Sequence, residues 1–72
     1  MDVTEVRKLD AYLKRLFCNQ KIRVVPRPKK DDSAEVYIGE EFIGVLFVDD
    51  EDDDRSYQFQ MAILETDIEE EV

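Results

Sequence analysis

Histidine is absent from this 72-residue chain, cysteine occurs once, and glycine and proline occur twice each. Without His, and with no serine set in a nucleophile elbow, the usual acid–base and nucleophilic constellations cannot be assembled. Two scattered glycines cannot form a glycine-rich phosphate loop. Cys18 has no second cysteine to bridge, so no internal disulfide staples the fold, and a reducing compartment is expected. No apolar run approaches the length of about eighteen residues that a spanning helix needs. The longest, Phe42 to Val48, is strand-sized. The N-terminus lacks the basic start and apolar stretch of a secretory signal. These absences predict a soluble cytoplasmic protein that is not an enzyme and has no cofactor and no membrane partner.

Positive charge is scarce in one half only. Residues 31–72 hold sixteen Asp and Glu against a single Arg55, a sum of −15. Residues 1–30 hold nine Lys and Arg against Asp2, Glu5 and Asp10, a sum of +6, and the whole chain carries −9. Such asymmetry bears on association, not on reaction chemistry. At 43% apolar and 40% charged the composition is globular. A chain this short buries only about 60–65% of its unfolded surface, so its core is thin.

Residues 2–18 read as an amphipathic helix. Val3, Val6, Leu9, Leu13, Leu16 and Phe17 recur at steps of three and four, which aligns them on one stripe. Asp2 followed by Glu5 forms a capping-box pattern, Lys14 and Arg15 suit the negative end of the helix dipole, and Asn19 is the expected left-handed closing residue. The apolar period then shortens to two. Ile22 to Val25 is a short strand that Pro26 and Pro28 end or confine to a sheet edge, with Pro26-Arg27-Pro28 as an extended connector. Ala34, Val36 and Ile38 mark a second strand, residues 41–48 a third and residues 56–64 a fourth. Gly39-Glu40 suits a two-residue type II′ turn.

That turn predicts a register in which Ile38 faces Glu41, Val36 faces Ile43 and Ala34 faces Val45. The expected fold class is α+β, an N-terminal amphipathic helix packed on a four-stranded antiparallel meander sheet, α-β-β-β-β. A single domain spans 1–65, and 66–72 is an acidic flexible tail in which Thr66 and Glu69 could cap one helical turn. One helix covers one face of a sheet. The register then leaves Val25, Tyr37, Phe42, Leu46 and Val48 on the other, a patch of the size that marks an interaction surface. Arg23 and Glu35 supply its polar rim, and Gly44 within it permits close backbone approach. Another protein or a second copy of the chain, as a homodimer, is the expected partner.

Other motifs carry less. The acidic loop 49–54 has many hard oxygen ligands for a divalent metal, but Arg55 and Met61 stand where an EF-hand loop needs Gly and Glu. A solvated loop is the simpler reading. The basic segment 21–30, with Arg27, Lys29 and Lys30, is the alternative site, a polyanion or nucleic-acid binder. The net charge repels polyanions, however, and the segment has no aromatic residue for bases to stack on. Neutralisation by the acidic loop, which a meander places at the same end of the sheet, accounts for it more simply. Cys18 has no base to activate it and reads as a plain helix-end cysteine.

The opening MDVTEVRKLDAYLKRLF and the stretch Lys21 to Leu64 resemble a family of short bacterial proteins known only as a domain of unknown function. IRVVPRPKKDDSAEVYIG and EFIGVLFVDDE carry most of the likeness. The resemblance implies a stand-alone cytoplasmic protein with no activity, cofactor or catalytic residue to transfer.

Overall fold

The computed structural model describes residues 1–50 and 54–69, without the side chains of Lys30 and Asp31. Asp2 caps helix α1 (Val3–Leu16). The Asp2 carboxylate accepts the Glu5 N–H at 2.8 Å and Glu5 Oε1 accepts the Asp2 N–H at 3.2 Å, which satisfies two otherwise orphaned amides. At the other end the Asn19 N–H reaches the Lys14 carbonyl at 3.0 Å and the Cys18 N–H the Arg15 carbonyl at 3.3 Å. This is a Schellman closure. Its left-handed residue is Cys18, with φ 52°, and not Asn19. Asn19 instead accepts the Lys21 N–H on its side-chain oxygen at 2.8 Å and so turns the chain toward the sheet.

Four strands follow in the expected order: β1 (Ile22–Arg27), β2 (Lys30–Ile38), β3 (Glu41–Asp49) and β4 (Ser56–Gln60). They pair antiparallel as a β1-β2-β3-β4 meander, so the architecture is α+β. α1 lies over β1 and seats Val6, Leu9 and Leu13 against Ile22, Val24, Ala34, Val36 and Leu46. Only the middle of its apolar stripe is used; Val3, Leu16 and Phe17 overhang and are exposed.

The first hairpin is tighter than the prolines suggest. β2 begins at Lys30, so Pro28 and Lys29 alone connect the strands, and the register jumps between Pro26 and Arg27. Pro26 is tolerated within β1 because the strand is at the sheet edge, where its missing N–H breaks no ladder bond. β4 stops at Gln60, four residues short of the expected end, and α2 (Glu65–Ile68) adds one helical turn. Asp67 closes that turn by accepting the Leu64 N–H at 2.9 Å, a role expected of Thr66 and Glu69. Residues 70–72 of the expected tail lie outside those described.

The second hairpin begins as predicted. Gly39 sits at φ 61°, a conformation open to glycine at little cost, and Ile38 pairs with Glu41. A bulge then intervenes: Tyr37 pairs with Phe42, but Val36 pairs with Gly44, leaving Ile43 without an opposite residue. From there on β3 is shifted by one, and Ala34 faces Leu46 instead of Val45. Because side chains alternate, one extra residue exchanges the faces. Leu46, expected on the uncovered side, is a core residue at 3% exposure. Val48 turns with it and pairs with Tyr57, which packs against the core. Val45 and Phe47, expected beneath the helix, take their places outside.

Candidate functional site

The helix-free face of the sheet therefore differs in membership from the expected one. Tyr37, Phe42 and Val25 lie on it as predicted, Leu46 and Val48 do not, and Val45 and Phe47 join it. Tyr37 and Phe42 meet edge to face, with ring centroids 5.7 Å apart and planes at 71°. The Arg23 guanidinium stands 5.0 Å from the Tyr37 ring centre, and its Nε donates to the Gly39 carbonyl at 2.9 Å. The Tyr37 hydroxyl donates to Glu35 Oε1 at 2.9 Å. Accepting that bond holds the carboxylate beside the phenol, and the Tyr37 pKa is raised, first by this hydrogen bond and then by desolvation. Arg23 and Glu35 thus rim the aromatic pair as expected. Phe42 is 51% exposed and Phe47 36%, while Val25, Tyr37 and Val45 are half-buried.

The basic residues divide. The Arg27 Nε is 3.9 Å from the Glu35 carboxylate and its Nη1 donates to the buried Ser33 hydroxyl at 3.4 Å, so Arg27 is partly engaged on the helix-free face. Lys29 is exposed in the turn, and the Lys30 side chain lies outside the described set. Three named candidates thus supply one described free-standing cation, Lys29. Of the acidic loop, Glu51, Asp52 and Asp53 lie outside the described residues. Asp50 pairs with Arg55 at 3.4 Å. Among the described residues no three acidic or cysteine side chains converge as metal ligands.

Two further surfaces escaped the sequence reading. Beyond the C-terminal end of α1 the sheet is unroofed, and Phe17, Ile22, Ile38, Ile43, Phe59 and Met61 line an open apolar hollow of about 250 Å³. The signal for it was available: a single helix of fourteen residues cannot roof the whole of a four-stranded sheet. The second surface is the pair of sheet edges, which differ. The Val24 N–H turns away from β2 and donates to Asp10 Oδ2 at 3.0 Å, and the Ile22 N–H reaches the Asn19 carbonyl at 3.4 Å. Pro26, next in that alternation, has no N–H. Every outward amide position of β1 is thereby closed.

Asp10 also pairs with Lys14 at 2.6 Å. Desolvation is the largest influence on its carboxyl and pushes the pKa up, but the Lys14 and Val24 hydrogen bonds with the Lys14 and Arg23 charges outweigh it, and the net shift is downward. Asp10 stays ionised and keeps its grip on the edge.

No helix among the described residues is long and apolar enough to cross a membrane. No curated protein and no solved structure matches the chain. A family model matches residues 5–67, and the chain accordingly belongs to the family described as protein of unknown function (DUF3126).

Proposed function

We propose that this protein is a small, non-enzymatic interaction module that docks another protein, or a second copy of itself, through the helix-free sheet face. The observation that carries the reading is the uncovered aromatic pair Phe42 and Phe47, at 51% and 36% exposure, beside Tyr37 and Val45. Aromatic anchors grouped on one sheet face with an arginine beside them are the usual carriers of interface energy. Arg23 and Glu35 orient the patch. A cytoplasmic setting suits the exposed Cys18 thiol.

Sedimentation over a dilution series and affinity capture test the reading together. Wild type should associate, with itself or with specific captured proteins, and a Phe42→Glu, Phe47→Glu double variant should lose that association while keeping its melting temperature. A wild type that is monomeric throughout and captures nothing the double variant does not also capture overturns it.

A further inference from the structure

The two edges of the sheet are treated differently by this chain, and the difference specifies a ligand. Along β1 every outward amide is occupied or removed, by Asn19, Asp10 and Pro26. Ladder bonds alternate along antiparallel strands. Counting across from Val24, whose N–H points outward, Val36 turns to β3, Val45 and Phe47 turn to β4, and Gln58 and Gln60 turn back to them. Tyr57 and Phe59 therefore direct their N–H and C=O groups away from the sheet. Neither has a backbone partner on that side among the described residues. β4 contains no proline and no charged residue, the devices that normally blunt an edge.

We propose that the outer edge of β4 receives an extended basic segment of a partner protein as a fifth strand. Strand addition supplies main-chain hydrogen bonds for affinity, and alternate side chains supply selectivity. On the helix side the incoming residues meet Tyr57 and Phe59 and the apolar hollow that Phe59 and Met61 help to line. On the other side they meet Gln58 and Gln60. The segment is thus alternately apolar and polar. Its ends are set by charge: Asp54 precedes β4, and Glu65, Asp67 and Glu69 follow it, all exposed, while Asp50 is paired with Arg55. A second copy of β4 would bring these acids against their own kind in a molecule of net −9, which disfavours self-pairing. The inference deepens the interaction-module reading and rests on it only for the premise that a protein segment is bound; it uses the edge and leaves the aromatic face free.

The probe is a synthetic peptide with two lysines at each end of an alternating valine–threonine core matched to the five residues of β4. Adding it to the full chain should slow hydrogen exchange at the Tyr57 and Phe59 amides while Gln58 and Gln60 change little. N-methylation of the peptide at alternate residues should abolish binding, and glutamate ends should weaken it about tenfold. A double variant, Asp54→Lys and Glu65→Lys, should reverse that preference for peptide ends. Unchanged exchange at Tyr57 and Phe59 in excess peptide overturns the proposal, as does protection of those amides by self-association without peptide. Phe47→Glu separates the two readings. It should leave peptide binding intact even where it abolishes docking through the aromatic face, and loss of peptide binding in that variant would place the ligand on the face and overturn the edge site.

Discussion

The Tyr57 hydroxyl donates to Glu5 Oε2 at 2.6 Å across 52 positions of sequence, joining the first turn of α1 to the far edge strand. Arg55 reinforces the link, with its Nη2 2.6 Å and its Nε 2.7 Å from the same carboxylate oxygen. The helix lies on β1, so this contact ties its N-terminal end to the opposite side of the sheet. The same Glu5 carboxylate also completes the helix cap through Asp2, which couples helix initiation to tertiary closure.

Removing that link should lower stability modestly and change its dependence on pH. Tyr57→Phe should cost about 1 kcal/mol by urea unfolding, the scale of a charged hydrogen bond discounted for partial exposure. The Tyr57 hydrogen bond, followed by the Asp2 N–H, holds the Glu5 pKa below its ordinary 4.5, against desolvation. A lowered folded-state pKa stabilises above the ordinary value and loses that contribution as pH falls through the folded one. Wild type should therefore lose stability below about pH 4.5, and Glu5→Gln should flatten that limb. The Tyr57 pKa is raised above 10.0, chiefly by the Glu5 bond, so a second loss is expected on the alkaline side as the phenol ionises. Tyr57→Phe should remove its own part of that loss. An acid limb identical in wild type and Glu5→Gln would show that the link contributes nothing.

Gly44 is the residue on which the bulge closes. A Cβ there would lie 2.6 Å from the Gln60 carbonyl oxygen and 2.6 Å from Phe59 Cε1. The ring can swing, but the carbonyl belongs to the ladder and cannot. Gly44→Ala should destabilise by about 1–3 kcal/mol, the range for overpacking, with the exchange of β4 amides accelerated most. A melting temperature equal to wild type would mean that β4 is not held where it is described.

Cys18 occupies the left-handed position of the helix closure, at φ 52°, without the freedom of glycine. Cys18→Gly should raise stability by up to about 1 kcal/mol, since relief of the strained backbone exceeds the added freedom of the unfolded chain. The gain should appear in the urea midpoint with little change in slope. A destabilised variant would show that the Cys18 thiol, which reaches toward the Arg15 carbonyl at 3.8 Å, matters more than the backbone conformation.

What could be read from sequence were the features encoded by neighbours. The Asp2–Glu5 cap, the helix stripe and the Gly39 turn each depend on residues a few positions apart, and each formed. The faces of β3 could not be read in the same way. Phe42, Ile43, Val45, Leu46, Phe47 and Val48 place apolar groups at both parities, so either register buries a plausible set. The choice fell to the bulge. Gly44 was the one hint, since glycine within a strand often marks an inserted residue. Hence Tyr37, Val25 and Phe42, which precede the shift, were placed correctly, whereas Leu46 and Val48, which follow it, were reversed. The closure of the β1 edge by Asp10 was hidden for another reason: it joins residues fourteen apart whose contact depends on where the helix comes to rest.

The Asp10 seal also limits growth. Fibre formation by strand stacking requires each molecule to offer two receptive margins, one to join and one to be joined. This sheet offers one. A strand added at β4 finds no matching row of amide donors at β1, so the ladder cannot repeat edge to edge from one molecule to the next.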